Sequence, residues 1–203
     1  WDHKFSLNLA DSKNEVVKYG TPKIASNDGV TVLIQEGLPL NSYFGYKVAG
    51  YFSGYDEIQE AAIPTSIDRT QLRPGDVRYV DIDGNGVIDT NDRTYLGYGF
   101  PRYTFGFTYN VSWKGFDLTA FFQGVCGGEG WSTGELVSPF FNGYNTAAWM
   151  TERWTPERPN NTYQRVYIDN QRAKIKSDYY VEDLSYMRMK NLELGYTLPK
   201  SLV

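Results

Sequence analysis

The sequence predicts an all-β protein whose antiparallel strands belong to the wall of a transmembrane β-barrel. Three observations lead there. The chain carries 17 Tyr, 11 Phe, 5 Trp and 20 Gly among 203 residues, and aromatics with Gly, Thr and Asn favour strands over helices. Residues 103–126 alternate with a period of two on both sides of a two-residue turn. The connections between strand-like segments are very unequal, as in bacterial outer-membrane barrels, which have short periplasmic turns and long extracellular loops. The mean hydropathy of −0.49 does not oppose this, because a barrel strand has one apolar and one polar face.

Five segments carry strand signals. At the start, Trp1, His3, Phe5, Leu7 and Leu9 alternate with Asp2, Lys4, Ser6 and Asn8. Less cleanly, Phe44, Tyr46, Val48, Gly50 and Phe52 alternate with Tyr43, Gly45, Lys47, Ala49 and Tyr51. The strongest is 103–113, with Tyr103, Phe105, Phe107, Tyr109, Val111 and Trp113 on one face. Thr104, Gly106, Thr108, Asn110 and Ser112 occupy the other. At about 3.3 Å per residue this segment reaches roughly 36 Å. Tilted by about 45° it climbs roughly 25 Å, the height of a barrel's apolar band. Lys114-Gly115 suits a tight hairpin turn, with Trp113 and Phe116 placed for an interfacial aromatic girdle. Phe116, Leu118, Ala120 and Phe122 then share a face opposite Asp117, Thr119, Phe121 and Gln123. The fifth segment holds Leu192, Leu194, Tyr196 and Leu198 in one parity and Met187 and Met189 in the other. That reversal predicts a bulge near Lys190-Asn191.

If Lys114-Gly115 is periplasmic, the long connections 54–102 and 127–184 are extracellular, and 11–42 falls on the periplasmic side, where it is long for a turn unless it holds an extra strand pair such as Val30–Ile34. The chain opens at Trp1 without an initiator Met or targeting segment and closes at Val203 just after a strand. Truncation at both ends is therefore expected.

Composition removes several functions. Twenty Lys+Arg against 24 Asp+Glu give a net charge of −4 without a basic block, which argues against nucleic acid as a partner. Cys126 is the only cysteine and His3 the only histidine, so a disulfide, a cysteine-based zinc site and most histidine chemistry are unavailable. No run is long enough for an apolar membrane-spanning helix. His3 has no Ser/Asp partners placed to make it a base. Gly127-Gly128-Glu129-Gly130 lacks the Lys-Ser/Thr of a phosphate loop. Asn160-Asn161-Thr162 matches only a short, frequent sequon. The many carboxylates have no fixed spacing that would mark a glycosidase. Enzyme activity has no positive support.

One motif is sharp. Residues 81–92 read Asp-Ile-Asp-Gly-Asn-Gly-Val-Ile-Asp-Thr-Asn-Asp. With Asp81 as loop position 1, oxygen ligands fall at Asp81, Asp83, Asn85, Asp89 and Asp92, and Val87 supplies a backbone carbonyl. Gly86 sits at the sharp turn, and Ile88 suits an apolar anchor. This spacing gives calcium, a hard cation wanting 6–8 oxygens, a structural site. Magnesium suits it less, since it keeps its waters and takes few protein ligands. Asp92 replaces the usual Glu at position 12, as in extracellular dockerin-like repeats, and its shorter reach implies a modest affinity. Pro74-Gly75 just upstream argues against a full helix-loop-helix. In the 127–184 connection, Trp149, Trp154 and Tyr163 are weak candidates for stacking on a sugar substrate, against plain loop packing.

Four stretches together resemble the SusC/RagA family of TonB-dependent outer-membrane transporters. They are Glu36-Gly37-Leu38-Pro39-Leu40-Asn41-Ser42-Tyr43-Phe44-Gly45-Tyr46-Lys47; Pro74-Gly75-Asp76-Val77-Arg78-Tyr79-Val80 running through Asp92-Arg93-Thr94; Lys114-Gly115-Phe116-Asp117-Leu118 with Phe121-Phe122-Gln123-Gly124; and Arg153-Trp154-Thr155-Pro156-Glu157 with Val181-Glu182-Asp183 and Ser185 to Leu192, ending Leu194-Gly195-Tyr196-Thr197-Leu198-Pro199. Their order and spacing match across almost the whole chain.

The resemblance implies a 22-stranded barrel with a plugged lumen, of which residues 1–203 form a late part without plug, TonB box or closing strand. It also implies the bacterial outer membrane as location. The implied function is import of an oligosaccharide, or sometimes a peptide, with a SusD-like surface lipoprotein as lid and the TonB complex acting through the plug. Lipid would bathe the wall, and the calcium loop would brace an extracellular connection. A soluble, calcium-stabilised β-domain that binds carbohydrate competes with this reading, because alternation alone does not distinguish lipid from a protein core.

Overall fold

The computed structural model describes residues 1–27, 29–133, 139–140, 148–159, 162–167 and 175–199. In chain order its strands are β1 (Asp2–Asp11), β2 (Lys23–Asn27), β3 (Val30–Ile34), β4 (Ser42–Tyr46), β5 (Val48–Tyr51), β6 (Val77–Tyr79), β7 (Arg93–Gly97), β8 (Tyr103–Trp113), β9 (Phe116–Cys126), β10 (Glu129–Trp131), β11 (Val181–Asp183) and β12 (Tyr186–Tyr196). One short helix, α1 (Tyr55–Glu60), joins them. The chain forms two units: residues 1–14, 99–130 and 183–203, and residues 15–98 and 131–182.

The first unit is an antiparallel sheet in the order β1-β8-β9-β12. Its strands are 10 or 11 residues long. The register carries one parity across the whole sheet. Leu7 faces Phe107, Phe107 faces Phe122, and Phe122 faces Met189. Phe5 faces Tyr109, Tyr109 faces Ala120, and Ala120 faces Leu192. The register shift between Met189 and Asn191 is the expected bulge. It brings Met187 and Met189 onto the same face as Leu192 and Leu194, because one extra residue reverses side-chain parity.

That face is a field of rings and aliphatic chains. Phe5 lies 4.8 Å from Tyr109 and 6.2 Å from Phe107, and Phe107 lies 6.4 Å from Phe122, all stacked. Among the described residues no second layer within the unit covers it: Leu7 is 70% and Leu194 76% exposed. The opposite face is small and polar. There the Thr119 hydroxyl donates to Asn110 at 2.7 Å, and Gly106 leaves room for the Phe121 ring.

The β8–β9 hairpin turns at Lys114 and Gly115, with φ of 46° and 87°. Positive φ at both central residues is what a tight hairpin turn matching strand twist requires. Beside it, Trp1 stacks on Trp113 at 5.0 Å, and Phe116 lies 4.4 Å from Tyr196.

The register also corrects two expectations. Asp11 pairs with Tyr103, and Ser12 N–H donates to the Arg102 carbonyl, so 12–102 is one excursion that leaves and rejoins the sheet at the same end. The 11–42 segment therefore shares an end with 54–102 instead of lying opposite it. The Phe44–Phe52 segment is not a further wall strand. It divides into β4 and β5, which join different sheets. The extra pair at Val30–Ile34 does form, as β3 against β2.

The second unit contains a four-stranded sheet, β2-β3-β4-β7, and the β5–β6 pair. Its apolar residues are buried in two small clusters. Phe52, Ile58 and Leu72 form one, and Val77, Tyr79 and Ile88 the other. Helix α1 turns Ile58 inward and carries Asp56 and Glu57 in its first turn, where the helix dipole favours them. The Arg69 guanidinium caps its far end, donating to the carbonyls of Ile58, Gln59 and Ala61. Those carbonyls would otherwise lack partners.

Candidate functional site

The acidic loop follows β6 and ends at β7. Its backbone is wound around its own carboxylates. Gly84 and Gly86 N–H groups each donate to Asp81 at 2.7 Å. Asn85 N–H donates to Asp83, and Val87 N–H to the Asn85 side-chain oxygen. Gly84 and Gly86 adopt φ of 74° and 84°, which only glycine adopts without penalty.

Asp92 is the hub. It is fully buried, and accepts from the N–H groups of Ile82 at 2.7 Å and Asp89 at 2.8 Å. Burial alone would push its carboxyl up. The N–H groups of Asp89, Ile82 and Asp83 and a side-chain contact with Asp81 outweigh that and hold it below the usual range.

Ligand oxygens of Asp81, Asp83 and Asp92 lie within 4.8 Å of one another. The Asp89 carboxylate is turned elsewhere: it accepts from Asn91 N–H at 2.7 Å and, with Asp92, forms a reciprocal cap on the short helical turn Thr90–Asp92. The Asn85 amide donates to Asp83. Val87 is 40% exposed. The structure thus gathers three of the four expected carboxylates into one cluster.

The apolar anchor expected at Ile88 is in place, but its partners were not visible in the loop's own sequence. Ile88 is 1% exposed. Its N–H donates to the Ile63 carbonyl, and its carbonyl accepts from Thr65 N–H, at 3.0 and 3.1 Å. These partners lie far enough away along the chain that no local pattern could name them.

The aromatic candidates separate. The Trp154 side chain is buried and covers Gly75, where a Cβ would stand 2.5 Å from the ring. Its backbone N–H donates to the Tyr163 carbonyl at 2.7 Å. Trp154 is thus a packing residue. Tyr163 is half-buried, and the side chain of Trp149 lies outside the described residues. Nearby, the buried Asp76 accepts from the Tyr167 hydroxyl at 2.7 Å and Arg73 N–H at 2.8 Å. Together with Trp154 it fastens the second long connection to the turn before β6.

A sheet with one uncovered ring-bearing face, one polar face and strands of barrel length is the wall of a transmembrane β-barrel. No family model matches the sequence. The chain is 35% identical, over 98% of its length, to TonB-dependent receptor P3 of Formosa agariphila, and 28% identical over 97% to TonB-dependent receptor P26 of the same organism. It spans about one fifth of the length of each. Among solved structures, it superposes on the RagAB peptide transporter with a TM-score of 0.67 at 21% identity, covering 98% of this chain and 21% of that one. The RagAB peptide importer in its open-open state gives 0.65 at 20%. At such identities the superpositions establish the fold.

The chain is similar along nearly its whole length to TonB-dependent receptors and shares the all-β fold of part of the RagAB transporter. The curated relatives are receptors and the solved structures transporters.

Proposed function

We propose that this chain forms part of the wall and two outward excursions of a TonB-dependent importer, one that takes up an oligosaccharide or a peptide. The observation that carries the reading is the continuous, uncovered apolar face of β1, β8, β9 and β12, on a chain similar to such receptors along nearly its whole length. The Lys114-Gly115 end is the periplasmic end, since it has the minimal turn. The excursions 12–102 and 127–185 then lie outside the cell. A SusD-like lipoprotein covers that side, and the TonB complex acts through a plug supplied by the rest of the receptor.

The acidic loop holds a structural calcium ion. Asp81 and Asp92 stand in mutual contact with Asp83 beside them. The backbone N–H groups that hold the Asp92 carboxyl low keep it an anionic oxygen donor toward such an ion. All the donors are oxygen, which suits a hard cation. With the ion bound, the loop stiffens the root of β7 and the Ile88 anchor.

Deleting the gene for the full-length receptor should abolish TonB-dependent uptake of one oligosaccharide or peptide fraction and leave growth on glucose unchanged. Undiminished uptake of both classes by the deletion strain refutes the importer reading.

A further inference from the structure

A cavity of about 240 Å³ opens in the second unit between β3, β4, the root of β7 and the 64–66 turn. Its polar lining among the described residues consists of Arg93, Lys176, Thr31, Tyr46, Thr65 and Ser66. Among them are two cations, four hydroxyls and no carboxylate. Phe44 and Ile88 form apolar walls.

The Arg93 guanidinium and the Lys176 backbone are held in place. The Arg93 guanidinium lies 5.4 Å from the Phe44 ring centroid, and its Nε donates to the Thr90 carbonyl at 3.3 Å. The Lys176 backbone is fixed against β4, where its carbonyl accepts from Tyr46 N–H at 2.9 Å. Gly45 permits that approach, because any Cβ there would collide with the Lys176 carbonyl. Burial alone pushes the Lys176 amine down, and no carboxylate among the described residues forms an ion pair with it.

We infer that this cavity is a subsite for one acidic sugar residue, its carboxylate or sulfate held by Arg93 and Lys176 and its hydroxyls by Thr31, Thr65 and Ser66. Charge-assisted hydrogen bonds to an oxyanion are the strong ones, and neither half-buried cation forms an ion pair with a carboxylate among the described residues. The cavity is smaller than the roughly 300–1,000 Å³ of a site that engulfs a drug-sized ligand. It therefore accepts one ring of a longer chain. Phe44 offers an apolar surface to the ring. The inference rests on the importer reading only for the source of the ligand; the binding site stands or falls by itself.

The test uses the purified full-length receptor in detergent, titrated calorimetrically with glucuronate, glucose 6-sulfate, glucose and an N-acetylated dipeptide with a free C-terminal carboxylate. Glucuronate or glucose 6-sulfate should bind at least about tenfold more tightly than glucose, with an affinity that falls as salt rises. Whichever of the two binds more tightly identifies the anion. Lys176→Gln and Arg93→Gln should each weaken that binding about tenfold, whereas Lys176→Arg should keep it within about threefold. The Lys176→Arg result also separates loss of charge from loss of fold. Equal binding of glucose and glucuronate, binding indifferent to Lys176→Gln, or tighter binding of the dipeptide than of either sugar acid overturns the inference. Sugar-acid binding by a receptor that fails the uptake test would preserve the subsite and remove the importer.

Discussion

The two units put the same kinds of residue to opposite uses. In the β1-β8-β9-β12 sheet, Phe5, Leu7, Leu9, Met187 and Leu194 remain mostly exposed. In the 15–98 and 131–182 unit, Phe52, Ile58, Leu72 and Ile88 are almost wholly buried, and the strands are short. The sheet is stable only if something apolar outside the chain solvates its rings. The excursion unit supplies its own interior, in two small clusters, and depends on side chains that fasten its connections. A substitution should therefore be read by the solvent that each unit expects.

Trp154→Ala should produce the largest change. Removing a buried ring above Gly75 leaves a void that costs about 3–5 kcal/mol. It should appear as protease sensitivity within 131–182, with the barrel's resistance to heat unchanged. Phe107→Arg acts on the other unit and should destabilise the barrel by about 2–4 kcal/mol near the midplane, in reversible unfolding from lipid vesicles. Thr108→Arg, one residue along and on the polar face, should cost far less. If the two arginines cost the same, the contrast between the faces is broken.

Calcium sharpens the comparison in the excursion unit alone. At a hundredfold excess over Kd the ion adds about 2.7 kcal/mol. Chelation should loosen 81–92 in hydrogen exchange and leave 103–126 untouched. Asp92→Ala should abolish calcium binding, while Asp89→Ala should mainly weaken the cap that Asp89 supplies to Asn91 N–H.

The smallest effect concerns Asp178, which accepts from Val48 N–H at 2.8 Å. Burial pushes its carboxyl up, against that hydrogen bond and Lys47. A folded value raised above the unfolded one means that its contribution is complete below the usual carboxylate range and is lost as pH rises through the folded value. Hydrogen exchange at β5 should therefore slow slightly on mild acidification, and Asp178→Asn should remove that dependence.

The wall was legible because a lipid-facing strand writes its environment in a period of two. Residues 103–113, the Lys114-Gly115 turn and the bulge beside Lys190 all follow from that rule. The excursion was less legible. Tyr43–Phe52 also alternates, but Lys47 marks a break between two small sheets, and a half-buried soluble strand has the same period. The end at which 11–42 lies is decided by Asp11 pairing with Tyr103, a contact between distant parts of the chain. The acidic loop's spacing named Asp81, Asp83, Asp89 and Asp92 alike; the structure brings three of them together and turns Asp89 to a cap, because an Asp carboxylate can serve either way. The Arg93–Lys176 cavity is assembled from five separate segments, and no local pattern announces it.

The central claim is that hydrocarbon solvates the ring-bearing face. Its most direct test is spin labelling of Phe105→Cys, Gly106→Cys, Phe107→Cys, Thr108→Cys and Tyr109→Cys, one at a time, in the full-length receptor in lipid vesicles with Cys126→Ser as background. The account predicts that labels at 105, 107 and 109 collide with dissolved oxygen and are shielded from a water-soluble nickel relaxant, and that labels at 106 and 108 show the reverse. Labels at the odd positions shielded from both reagents, as beneath a second protein layer, would contradict it.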